Sequence, residues 1–233
     1  KSIQLRPDYI FGYVVLGSIL QKLTCDSSAV KFYKKAISLD PKQLFSILSL
    51  SEQYLIMGNM SMAEKYFRKA ETISPDWFFV LFLGGRLELL KKNYKKADQY
   101  FNKYEEKYQS AREYFHGYIL LKLGETAVGQ GIIDNELKEY LEYAKYHPKG
   151  TSRTENAIAE IYAINGDKEN AFKWLNKAIN KGWIDYRYNL IYPYFKSVKK
   201  EKQFDDLIIK MKTKIDSMKA IIIESDPDPE FCE

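Results

Sequence analysis

The sequence lacks any apolar run of membrane-spanning length: its longest, such as Trp77 to Leu83, fall far short of the roughly 20 residues a spanning helix needs. Cysteine is scarce. Only Cys25 and Cys232 are present, too few for a disulfide framework and without metal-ligand spacing, so both read as incidental. Histidine is equally rare, and His116 and His147 stand in no ligand spacing, which points to surface or hydrogen-bonded residues rather than to a base or a metal ligand. Charge of one sign is also missing. Against 36 basic residues stand 31 acidic ones, and the net +5 is answered locally almost everywhere, which is weak support for a nucleic-acid partner. The chain opens on Lys1 within a helical pattern, without a charged-then-apolar leader. It reads as a fragment whose targeting segment was removed or lies upstream, which leaves the compartment open and the cytoplasm slightly favoured.

What is present is a chain of 233 residues that is 45% apolar, enough for a sizeable core and for one or two domains. Aromatic residues make up 15%, including 19 Tyr and 13 Phe, which suits a fold with many ring-lined helix contacts. Pro7, Pro41 and Pro75 recur every 34 residues, each after a helix-ending phrase such as Ala36-Ile37-Ser38-Leu39-Asp40 or Ala70-Glu71-Thr72-Ile73-Ser74. Proline lacks a backbone donor and clashes with the preceding turn, so its recurrence marks the end of a repeating unit.

Other signals fall in the same register. Leu16-Gly17 and Leu50-Ser51 sit where two helices of a hairpin must approach closely; Ala29 and Ala63 open the second helix, Tyr33 and Phe67 follow a turn later, and Ala36 and Ala70 complete the pattern. This order of small and large residues resembles the tetratricopeptide repeat, a pair of antiparallel helices. A third unit keeps Gly85, Tyr94, Ala97 and Phe101 but has Tyr104 for the late Ala and Gln109 for the Pro, so its second helix is expected to run on. The stretch from Ser110 to Gly150 reads as an expanded hairpin, one helix from Ala111 to Leu123-Gly124 and a longer one from Ile132 to Tyr146. Ile158-Ala159, Tyr162, Gly166, Ala171, Leu175 and Ala178 then restore the repeat, with Trp183 in place of Pro.

The resemblance implies an all-α, right-handed superhelical solenoid over residues 1–223, with repeats at about 10–43, 44–77, 78–109 and 152–183, the expanded hairpin at 110–150 and a cap at 184–223. Phe204, Leu207, Ile208, Met211, Ile215 and Met218 recur at helical spacing. They read as a capping helix, with a dimerisation helix as the alternative. Residues 224–233, with two prolines among acids, read as a mobile acidic tail. The ending around Trp183, Pro193, Phe195, Phe204 and Leu207 also resembles the C-terminal repeat regions of large bacterial signalling and regulatory proteins, which would make the chain one arm of something larger.

In such arrays the first helix of each hairpin lines the inner face. Phe11, Phe45 and Phe79 occupy one inner position, 34 apart, and Val14, Leu48 and Phe82 the next. Ser18, Glu52 and Arg86 form a polar set, and Leu55, Ile56, Leu89 and Leu90 extend the apolar lining. A groove so built suits an apolar or aromatic peptide or helix, unless a neighbouring repeat or the chain's own tail, for instance Phe231, covers it. The family's clamp for C-terminal carboxylates uses Lys, Asn and Arg on this face. Phe, Val, Leu, Ser and Glu stand here instead, although Arg86 could pair with an acidic ligand group.

No catalytic, metal or cofactor constellation emerges. Gly124 to Gly131 lacks both the preceding strand and the Lys-Ser or Lys-Thr of a phosphate loop, so it reads as a turn and helix start. Glu105-Glu106 and Asp205-Asp206 read as solvated faces. Lys91 to Lys96, followed by Lys103, Tyr104, Lys107 and Tyr108, interleaves lysine with tyrosine, but Asp98, Glu105 and Glu106 dilute it as a nucleic-acid surface. Asn59-Met60-Ser61 matches a glycosylation triplet that arises often by chance. The sequence therefore predicts a non-catalytic scaffold that binds a protein or peptide partner, without cofactor, membrane span or nucleic acid. The alternative is a structural or oligomerisation arm of a larger regulatory protein.

Overall fold

A computed structural model describes residues 8–108, 113–148, 150–225 and 232. Among them are twelve α-helices and no strand: α1 (Ile10–Lys22), α2 (Asp26–Leu39), α3 (Leu44–Ile56), α4 (Met60–Ile73), α5 (Phe78–Leu90), α6 (Tyr94–Tyr108), α7 (Tyr114–Leu123), α8 (Thr126–Tyr146), α9 (Ser152–Ile164), α10 (Lys168–Asn180), α11 (Tyr186–Ile191) and α12 (Lys202–Ser225). Pro193–Phe195 forms a short 3-10 turn before α12.

The hairpin turns explain the register. Between first and second helices the chain needs one residue in the left-handed region, and Thr24, Gly58 and Lys92, 34 residues apart, adopt φ of 59°, 77° and 61°. Gly124 and Gly166 fill the same role further on. Glycine is the residue that takes this conformation without a Cβ penalty, so Thr24 and Lys92 are the exceptions. In two hairpins the residue after the turn caps the next helix: the Asn59 side chain accepts from Met62 N at 3.1 Å and the Asp167 side chain from Asn170 N at 3.0 Å, whereas Cys25 and Glu125 make no such bond. At the other ends, α2 and α4 stop at Leu39 and Ile73, two residues before Pro41 and Pro75. Pro7 lies outside the described residues.

The helices divide into two compact units, residues 1–84 with 215–233, and residues 85–214. In the first, the hairpins α1–α2 and α3–α4 pack through the small and large residues of the repeat. Ala29, Ala36, Ala63 and Ala70 are fully buried, Tyr33 and Phe67 nearly so, and Ser51 Oγ donates to Ala63 O at 2.7 Å across the second hairpin. In the second unit Phe101 fills the space beside Gly85, and α7 crosses α8 so closely that a Cβ on Gly117 would stand 2.8 Å from the Gly129 carbonyl oxygen. The glycines of 124–131 thus serve a left-handed turn and a helix crossing. The second helix of this hairpin begins at Thr126, six residues before the expected Ile132, and the first begins at Tyr114 after the extended Glu113; the expected start, Ala111, lies outside the described residues.

Four residues of the terminal stripe pack within its own chain, while Met218 is exposed. Phe204, Leu207, Ile208 and Met211 share a core cluster with Ala159, Ala163, Ala171, Phe172, Leu175 and Ile179 of α9 and α10, completed by Phe195 and Val198. One sequence expectation is overturned here. Cys25 and Cys232 are not incidental but joined in a disulfide, with Cα atoms 4.9 Å apart. Two cysteines separated by 207 residues carry no local sign of pairing, so only the fold brings them together. Of the segment expected as a mobile acidic tail, Cys232 is joined to Cys25, and residues 226–231 and 233 lie outside the described residues.

Candidate partner-binding face

In the first unit, the residues one repeat apart build a ladder of rings. Phe11 meets Phe45 edge to face with centroids 6.5 Å apart, and Phe45 meets Phe79 at 5.2 Å. Trp77, just before α5, closes the group at 4.8 Å from Phe45 and 5.0 Å from Phe79. Each Phe sits in the first turn of its hairpin's first helix, so the 34-residue period stacks them on one side. These distances are those of favourable aromatic pairs. The rings nevertheless stay open to solvent: Phe11 is 50% exposed, Phe45 40% and Phe79 37%. Large apolar side chains left this exposed in a contiguous group mark an interaction face more often than chance exposure does.

The second predicted position differs. Val14 and Leu48 are buried and Phe82 half-buried, so this set is less open to a partner than the three phenylalanines. Leu55, Ile56 and Leu89 are also buried, core residues instead of the groove lining expected of them. Ser18 is exposed and Glu52 half-buried, and both act on the buried Tyr33 phenol, which donates to Gln21 Oε1 at 2.9 Å. Trp77 was the residue sequence reasoning missed. Its position two residues before Phe79 was the available signal.

The second unit treats the same helix faces differently. Arg86 lies over the ring of Tyr188 at 5.0 Å and that of Tyr192 at 4.3 Å, while Tyr194 meets Tyr114 and Tyr118 with centroids 5.7 and 5.5 Å apart. Three first helices, α5, α7 and α9, thus face one tyrosine-rich segment of the chain itself, since the turn Pro193–Phe195 also packs on α9. Arg86, expected to be available to an acidic ligand, is engaged by the chain's own rings.

Under this segment lies a buried polar cluster. Tyr114 OH donates to Glu160 Oε2, and Asn156 Nδ2 donates to Glu160 Oε1 at 2.9 Å. Burial pushes the Glu160 carboxyl up to about 7 against the opposing pull of these hydrogen bonds and of Arg86. Burial, with Glu136 and Glu105 nearby, likewise pushes Glu113 up to about 7. His116 is fully buried, its Nε2 2.8 Å from Asp98 Oδ1 and its Nδ1 2.5 Å from Glu105 Oε1. Burial works to lower its pKa, but the two carboxylates outweigh it and raise the value. Glu105, expected on a solvated face, is thus a partner of His116, whereas Asp205 and Asp206 are exposed as expected. No group of three or more acidic, His or Cys side chains among the described residues could hold a metal ion. No described helix is long and apolar enough to cross a membrane.

The tetratricopeptide-repeat family model matches residues 12–43, 47–76 and 156–180. Among curated proteins none matches significantly. Solved structures with a similar fold include a tetratricopeptide repeat protein from Parabacteroides merdae ATCC 43184, 16% identical, covering 84% of this chain and 73% of its own, with a TM-score of 0.56. A thermophilic repeat protein of Thermus thermophilus is 16% identical, covers 81% of this chain and 98% of its own, and has a TM-score of 0.55. A chain of the APC/C hetero-tetramer Cut9–Hcn1 is 14% identical, covering 90% of this chain and 44% of its own, with a TM-score of 0.54. At these identities the likeness is one of fold.

Proposed function

We propose, from the premise that this chain is a tetratricopeptide-repeat protein, that it is a protein-interaction scaffold whose contact surface is the ring ladder Phe11, Phe45, Phe79 and Trp77. The carrying observation is that these rings touch one another yet remain between 37% and 50% exposed for the three phenylalanines. A linear ladder of edge-to-face rings suits an extended or helical peptide that offers apolar side chains at regular intervals. Glu52, half-buried on the same helix as Phe45, acts on the buried Tyr33 phenol and is not one of the ladder's anchors. Val14, Leu48 and Phe82, the other apolar set of these helices, are buried or half-buried and contribute less surface to such a contact.

The non-catalytic reading rests on the repeat match, since tetratricopeptide arrays serve in general as interaction scaffolds. The alternative, an oligomerisation arm working through Phe204, Leu207 and Met211, would have to unpack the cluster these residues share with α9 and α10.

The test is selection from a displayed random-peptide library with the wild-type chain and with a Phe45→Glu/Phe79→Glu variant, each checked for unchanged helical circular dichroism. Enrichment of aromatic or aliphatic peptides by the wild type, lost in the variant, supports the ladder. Equal enrichment by both would refute it.

A further inference from the structure

Two adjacent residues break the repeat at the first hairpin turn, and both reach the same distant segment. At the turn position Thr24 stands where Gly58, Gly124 and Gly166 serve other hairpins, and like Lys92 it accepts the left-handed backbone, with φ of 59°. At the cap position Cys25 stands where Asn59 and Asp167 hold their helices, and it makes no side-chain cap bond to α2. Each departure costs the hairpin something locally: a Cβ in a region that glycine prefers, and a missing helix cap. Each is matched by a contact with the C-terminal segment of the same unit. Lys219 Nζ donates to Thr24 Oγ1 at 2.9 Å, and Cys232 forms the disulfide with Cys25. Neither contact would exist with the glycine and asparagine of the second repeat.

We propose that the Thr24–Cys25 turn is a docking site for the chain's own C-terminal segment, closed covalently by disulfide exchange in an oxidising compartment. The chemistry balances as a two-electron oxidation. A Cys thiolate attacks a sulfur of a donor disulfide, either glutathione disulfide or an exposed protein disulfide, and releases one donor thiolate. The second cysteine attacks the mixed disulfide, forms the Cys25–Cys232 bond and releases the other; the two protons of the cysteine thiols end on the two donor thiols. Cys25 is 3% exposed once paired, so the closed bond is shielded from reductant on that side. Such bonds persist outside reducing compartments, which turns the compartment expected from sequence away from the cytoplasm. The clasp holds the end of α12 from Ile215 onward against the first hairpin, and Ile215 itself is 2% exposed.

The test uses the full chain prepared without reductant, denatured and alkylated with iodoacetamide. Intact mass is expected to show no adduct before reduction and two after it, and a non-reduced digest should yield one crosslinked peptide pair containing Cys25 and Cys232. Adducts on both cysteines before reduction, or an intermolecular crosslink, would overturn the proposal. Hydrogen exchange then separates the clasp from a passive bond, using Cys25→Asn, which restores the cap of the neighbouring repeats and so preserves the hairpin. That variant and Cys232→Ser are expected to lose exchange protection over residues 215–225 while α3 and α4 keep theirs. A disulfide whose removal leaves exchange at 215–225 unchanged would overturn the docking role.

Discussion

A methyl group added at Gly85 measures how tightly α5 packs against α6 within one hairpin. An alanine Cβ there would stand 2.5, 2.6 and 2.9 Å from Cε2, Cζ and Cδ2 of Phe101. Distances below 3.0 Å require something to move. The ring has little room to do so: Phe101 is 1% exposed, with the Phe115 ring 4.9 Å away and the His116 ring 5.7 Å away. Two effects oppose each other. Alanine in place of glycine within a helix stabilises by about 1 kcal/mol, while overpacking a closed core costs about 1–3 kcal/mol. Gly85→Ala should therefore range from neutral to about 2 kcal/mol less stable. Gly131→Ala isolates the first effect, because Gly131 also lies within a helix and nothing stands within 4 Å of its added Cβ. It should gain about 1 kcal/mol. Urea unfolding followed by circular dichroism reads both variants, and the overpacking term of about 1–3 kcal/mol is their separation. Equal shifts for the two would refute the close packing of α5 against Phe101.

Further expectations follow from the buried groups. Ala63→Leu, at a fully buried helix contact, should destabilise by about 1–3 kcal/mol in the same urea assay. The Glu160 carboxyl is pushed up to about 7 in the fold, above its unfolded value, so its contribution is complete at acid pH and is lost as pH rises through about 7. Glu160→Gln should accordingly flatten the fall in stability between about pH 5 and about pH 8, measured as the shift in urea midpoint. The raised pKa of His116 has the same sign: its stabilisation is present at low pH and fades as pH rises through the folded value. His116→Phe should cost about 1–3 kcal/mol near pH 6 by leaving Asp98 and Glu105 without their shared donor, and an unchanged midpoint would rule out that role.

The helical hairpins were legible because their signals are local and periodic. A proline, a small residue and a ring recurring every 34 positions locate helix ends and contacts without knowledge of the tertiary fold. Phe11, Phe45 and Phe79 were legible as a stacked set for the same reason. Their exposure was not, because solvent access depends on neighbouring side chains; the same argument placed Val14 and Leu48 beside them, and the fold buries both. The tyrosines at 188, 192 and 194 could be seen as a cluster. That they cover Arg86, Tyr114 and Tyr118 depends on the geometry of three hairpins at once. The Cys25–Cys232 pair was invisible for a similar reason, since 207 residues separate the two cysteines.

The central claim is that the exposed rings of the first unit hold a partner, and calorimetric titration of a library-selected peptide into wild-type chain and into the folded Phe45→Glu/Phe79→Glu variant tests it most directly. Anchor residues of an interface cost more than about 1 kcal/mol each when lost, so the double variant should bind at least about tenfold more weakly, with Glu160→Gln binding as wild type does. Equal affinity for wild type and the double variant would contradict the account and move the contact surface away from the ring ladder.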